Sequence, residues 1–87
     1  MTAPFPGQDR AKHMGELKRG EERWDVYMEL QRDAELGAVR GRLHFLSGDH
    51  RRTTSWIFLE VSEREVVERF GEFSPVELWR FLEAVAN

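Results

Sequence analysis

Cysteine is absent from this 87-residue chain. That excludes a disulfide framework, a thiol nucleophile and a cysteine-ligated zinc site. Long apolar runs are also missing: no stretch approaches the roughly 20 residues of a membrane span. The N-terminus lacks the apolar core of a signal peptide. A cytoplasmic location is therefore the expectation, with no membrane involvement. Proline is scarce, at Pro4, Pro6 and Pro75 alone, and tyrosine occurs once, at Tyr27. A single tyrosine gives a thin platform for stacking bases. The net charge of −3 argues against bulk binding of a polyanion, though not against a local patch.

What charge there is divides unevenly. Residues 1–37 carry six basic and eight acidic groups, and residues 55–87 three basic and seven acidic. Between them, residues 38–54 hold Arg40, Arg42, Arg51 and Arg52 against Asp49 alone. Only the middle of the chain is basic.

The first 21 residues, with Pro4, Pro6, Gly7, Gly15 and Gly20, show little apolar periodicity. They read as a mobile tail with at most a helical turn around Asp9 to Leu17. Residues 22–87 form one domain, a size at which folding is only marginally favourable. Such a unit has little room for a deep enclosed pocket.

Three strands are expected within it. "RWDVYMELQ" alternates, with Trp24, Val26, Met28 and Leu30 on one face. "AVRGRLHFL" does the same with Val39, Gly41, Leu43 and Phe45. "RTTSWIFLE" is rich in β-branched and aromatic residues. Ser47-Gly48-Asp49-His50 has the form of a two-residue hairpin turn with glycine suited to type II′. Extended outward, that turn sets Trp56 over Gly41 on the core face. Arg40, Arg42 and His44 then point to the other face. For the first hairpin two registers keep the core faces aligned. One sets Glu29 opposite Arg40 and Asp25 opposite His44; the other sets Asp25 opposite Arg42 and Tyr27 opposite Arg40.

Two helices follow. Ser62 and Ser74 each precede a glutamate by three residues, Glu65 and Glu77, the spacing of a capping box. Pro75 stands at the first helical position of the second, where its missing N–H costs nothing. Leu78, Phe81, Leu82 and Val85 recur with helical spacing. The fold class is therefore α+β: a three-stranded antiparallel β-meander followed by two α-helices, the C-terminal helix packed on one face of the sheet.

No catalytic group, metal site or cofactor motif emerges. The three histidines have no convincing ligand geometry, and Asp49-His50 beside Thr53 and Thr54 lacks an evident oxyanion hole. An enzyme is the least favoured reading. Ile57 and Leu59 fall on the face opposite the core, beside Tyr27. They are covered there by the N-terminal tail or the first helix, or they form a patch for a partner. Trp79 flanks the apolar stripe of the last helix as core packing or as an exposed anchor. The leading expectation is a non-enzymatic module that binds a protein or a second copy of itself through Tyr27, Ile57, Leu59 and Trp79. The alternative is nucleic-acid binding through Arg40, Arg42, Arg51, Arg52 and Tyr27.

Overall fold

A computed structural model describes residues 11–85. Strands β1 (Ala11–Arg19), β2 (Glu22–Asp33), β3 (Ala38–Ser47), β4 (His50–Thr53) and β5 (Phe58–Glu60) precede helices α1 (Glu63–Phe70) and α2 (Pro75–Ala84). The sheet is antiparallel and open, in the order β1-β2-β3-β4, with β5 pairing β3 beyond the end of β4. The α+β class and the meander stand as expected, with the sheet one strand wider. Both helices contribute buried side chains to a single core. Among the described residues no helix is long and apolar enough to cross a membrane.

The added strand is β1. Residues 11–19 were expected in the tail; residues 1–10 of that tail lie outside the described residues. The physical reason for the difference is a β-bulge. Between His13 and Gly15 the register against β2 slips by one residue. Met14 and Leu17 are three apart, so a regular strand would send them to opposite faces. The extra residue lets Leu17 enter the core and Met14 pack against it. A period of two cannot detect such a strand. Its turn was visible: Gly20 has φ +64 and opens a two-residue link that pairs Arg19 with Glu22.

Neither expected register of the first hairpin occurs. Asp33 pairs with Ala38, so Glu29 meets Arg42 and Tyr27 meets His44. The cause lies in the loop. Asp33 Oδ1 accepts from the backbone N–H of Glu35 and of Leu36, each at 3.1 Å. Gly37, at φ +61, closes the turn by donating to the Ala34 carbonyl. This side-chain-capped turn lets the strands pair up to Asp33.

The second hairpin turns as expected at Gly48, whose φ is +59, with Ser47 opposite His50. Pairing then breaks. Thr54 Oγ1 accepts from the Leu43 N–H at 3.0 Å and donates to the Ser55 carbonyl at 2.7 Å. The chain rejoins β3 with Phe58, not Trp56, opposite Gly41. Gly41 is required by α1, not by an indole. A Cβ there would lie 2.8 Å from Val66 Cγ1, 3.0 Å from Met28 Sδ and 3.2 Å from Phe58 Cβ. Trp56 therefore leaves the core face and stacks under Arg42, whose guanidinium carbon is 4.3 Å from the ring centroid.

The helix starts behave as the sequence implies. Ser74 and Glu77 form a full capping box, Ser74 N–H donating to Glu77 Oε1 at 2.9 Å and Glu77 N–H to Ser74 Oγ at 3.2 Å. Ser62 Oγ accepts from Glu65 N–H at 3.2 Å, and its hydroxyl faces the Glu65 carboxylate at 3.4 Å. Helix α2 touches the sheet lightly, through long side chains that reach up to it. Arg19 lies 4.0 Å over the Trp79 ring, and Arg52 Nη1 donates to the Leu82 carbonyl at 3.4 Å.

Two stability outcomes follow. Gly41→Ala is expected to cost about 1–3 kcal/mol through overpacking against Val66, read by urea unfolding. Ser74→Ala is expected to cost about 1 kcal/mol through the lost cap. A Gly41→Ala chain as stable as the parent would mean that α1 can back away from β3.

Candidate interaction surface

One face of the sheet carries the helices and the other is open. Across the open face the register lines up His13, Tyr27, His44 and Thr53, then Glu29 and Arg42, then Gln31, Arg40 and Leu59. Most of this face is a polar network. Glu29 Oε1 accepts from Arg42 Nε at 2.9 Å and meets His44 Nε2 at 2.6 Å. His44 Nδ1 is 2.9 Å from Thr53 Oγ1. Burial pushes the Glu29 carboxyl up, but the hydrogen bonds from Arg42 and His44 and the Arg42 charge outweigh it. The group stays below its ordinary range and ionised. Burial also holds the His44 imidazole below its ordinary value, against the pull of Glu29. Neutral His44 beside an ionised Glu29 donates from Nε2 and accepts the Thr53 hydroxyl at Nδ1.

This network takes up the basic stripe. Arg40 is tied to Asp33 at 2.8 Å and Arg42 to Glu29. Arg52 pairs with Phe45 and so turns to the helix side, where its guanidinium lies 4.9 Å from the Trp24 ring centroid. Tyr27 is half-buried, with His13 edge-on at 5.1 Å; His13 in turn meets Asp25 at 3.0 Å. Of the four arginines expected on a nucleic-acid face, Arg51 alone is exposed and outside any ion pair among the described residues.

The apolar candidates fare differently. Leu59 is 58% exposed and Ile57 37%. Val61 (72%) follows β5, and Leu36 (61%) sits in the loop that enters β3 at the same end of the sheet. Of the five large exposed apolar residues described, only Val76 on α2 lies elsewhere. A shallow groove of about 200 Å³ runs beside Leu59, lined by Arg40, Trp56, Phe58 and Leu59. The groove brings Leu59 together with Trp56, while Ile57 and Val61 flank β5 and Leu36 lies in the β2–β3 loop. It does not bring in Tyr27, which lies two rows away on the open face, or Trp79, which is 9% exposed on the helix side. Val61 was legible as the next step of the Leu59 alternation, and Leu36 as the one large apolar residue in a polar loop. Trp56 was not legible, because its face depends on the break at Thr54. Among the described residues no group of three or more His, Asp or Glu could hold a metal ion.

The His44 cluster makes stability pH-dependent. Its folded pKa is lowered from 6.5, so the unfolded chain binds more protons as pH falls. Stability from this group is present above that value and is lost as pH falls through the folded pKa. Glu29 acts with the same sign in the carboxylate range. In urea unfolding between pH 7.5 and 5, His44→Gln is expected to flatten the decline. An unchanged slope would remove His44 as its source.

Compared with family models, with curated proteins and with solved structures, the chain matches none.

Proposed function

We propose that this chain is a small non-enzymatic, cytoplasmic protein-interaction module whose contact surface is the apolar corner formed by Trp56, Ile57, Leu59, Val61 and Leu36. The observation that carries this reading is the exposure of Ile57, Leu59 and Val61 on and beside β5, next to a groove lined by Arg40, Trp56, Phe58 and Leu59. Clustered exposed apolar area is the usual mark of a contact site. The corner has parts of the anatomy of such a site: an aromatic residue in a groove, apolar neighbours, and a paired charge beside them at Arg40–Asp33. Its partner is a foreign protein or a second copy of the chain.

Nucleic-acid binding has less support. A phosphate contact needs a cation free to displace counterions. Arg40 and Arg42 are engaged with carboxylates and Arg52 points to the helices. Exposed pairs of this kind are individually weak, about 0–1 kcal/mol, but they leave the open face with little net positive field.

Leu59→Asp separates the readings, because its side chain is exposed and the substitution leaves the core intact. The variant is expected to fold normally and to lose at least about tenfold in affinity, about 1.4 kcal/mol, for whatever the parent binds. Sedimentation equilibrium reads self-association. Affinity purification with identified bait-specific proteins reads a foreign partner. Retained association in Leu59→Asp, with loss in Arg51→Glu, would overturn the proposal in favour of the basic reading.

A further inference from the structure

A buried histidine sits against the least secured strand of the sheet. We propose that proton uptake by His44 releases β4 from β3, so that acid opens this edge of the sheet at a lower cost than it unfolds the chain.

The surroundings of His44 come from β2, β3 and β4. Glu29 on β2 meets Nε2 at 2.6 Å, and Thr53 on β4 meets Nδ1 at 2.9 Å. Tyr27 stands opposite His44 on β2. On the far side of that ring, His13 of β1 lies edge-on and is tied to Asp25. Arg42, two residues away on β3, shares the same Glu29 oxygen. Arg51 on β4 adds a second positive charge within electrostatic reach. One carboxylate therefore faces two guanidinium groups before any proton arrives.

Protonation upsets this arrangement at Thr53. The neutral ring donates from Nε2 and accepts at Nδ1, whereas the imidazolium donates from both. The Thr53 hydroxyl must then reverse, and its own proton loses its acceptor. The new charge also stands with Arg42 and Arg51 in a site where water screens little. The contact with Glu29 survives, because that carboxylate accepts in either state. The contact with β4 is the one that weakens.

β4 is also the strand that gives way most easily. It has four residues, none of them fully buried, and among the described residues it pairs with β3 alone. Beyond that ladder it is held by Arg52, which reaches the Leu82 carbonyl and the Trp24 ring, and by the Thr54 N–H, which donates to the Leu43 carbonyl at 2.9 Å. On the other side of His44, β2 has twelve residues and is paired along both flanks. Segments with few buried side chains open locally at a fraction of the global cost. Opening carries Thr53 and Arg51 away from His44 and lets water reach Nδ1. It also uncovers the edge of β3 from His44 to Ser47, a row of backbone groups that β4 otherwise pairs.

Hydrogen exchange on the full chain, read by NMR as protection factors between pH 7.5 and 5, tests this. The closed state holds the His44 proton less tightly than the open one. Protection of β4 is therefore lost as pH falls from the ordinary histidine value of 6.5, and the loss levels off below the closed-state pKa. The reporters are the amides of Thr54 and of Arg52, the next bonded position of an antiparallel ladder. At every pH they are expected to be less protected than Met28 and Leu30 of β2, because β4 opens without the rest. Their protection is expected to fall by up to about tenfold per pH unit in that window. In His44→Gln, whose amide donates to Glu29 and accepts from Thr53 without titrating, the fall is expected to vanish. Equal protection of β4 and β2 throughout overturns the proposal, since the edge then opens only with the whole fold. An equal fall in the parent and in His44→Gln overturns it as well. Should His44→Gln not fold, the parent alone decides. Its His44 ring signals report the closed-state pKa, and Thr54 protection is expected to level off there. Levelling at another pH overturns the proposal.

Discussion

The close approach of α1 to β3 governs much of what this molecule presents to its surroundings. Val66 sits where a Cβ of residue 41 would be, and Met28 and Phe58 close the same space. With that volume occupied by a helix, the strand opposite Gly41 can offer a Phe58 whose Cβ slides alongside, but not a tryptophan lying over it. Thr54 makes the adjustment: its N–H still donates to the Leu43 carbonyl at 2.9 Å, but its hydroxyl rather than its carbonyl accepts from the Leu43 N–H at 3.0 Å. Everything from Ser55 onward is then displaced by two residues relative to a continuous hairpin. Trp56 moves to the open face, and the groove beside Leu59 opens. A packing demand on one side of the sheet thus creates the surface on the other.

The parts of the fold that could be read directly are those in which local chemistry and periodicity agree. Trp24, Val26, Met28 and Leu30 are all buried, as their alternation requires, and so are Val39, Leu43 and Phe45. Ser74, Pro75 and Glu77 state a helix start without help from tertiary structure. The illegible parts are those in which a single residue changes the count. The bulge at Met14 and Gly15 hides β1, the Asp33 cap resets the β2–β3 register, and the Thr54 break shifts β5. Each is a local irregularity overriding the period-two pattern, and each moves partners along a strand without changing which residues of β2 and β3 face the core. The candidate surface inherits this division. Leu59 and Ile57 were visible because exposure of an apolar residue follows from parity. The place of Trp56 beside them was not.

The open face shows why basic residues next to aromatics are a poor guide by themselves. His44 is almost fully buried although it lies on that face, because Glu29, Arg42 and Thr53 close over it. The arginines that look like a binding stripe in one dimension serve as ligands for carboxylates on neighbouring strands. Arg52 serves the opposite side, donating to a carbonyl in the last turn of α2, where backbone acceptors have no partner within the helix. What is left over after these pairings is Arg51 and the exposed apolar residues on and around β5.

Association through a sheet edge is hindered by the same construction. The long free edge is β1, and it carries Lys12, Glu16, Lys18 and Arg19 along a strand bent by its bulge. Charges and bulges are the usual means of discouraging a foreign strand from pairing there. The opposite edge is broken into a four-residue β4 and a three-residue β5 with an irregular link between them, too short to template an extended ladder. With both edges blunted, one face under the helices and most of the other locked in ion pairs, the exposed apolar side chains among the described residues are those on and around β5, Leu36 in the β2–β3 loop and Val76 on α2. The break at Thr54 connects the two facts. By interrupting β4 and β5 it shortens the edge that would have invited strand pairing, and by the same displacement it turns Trp56 outward to line the groove.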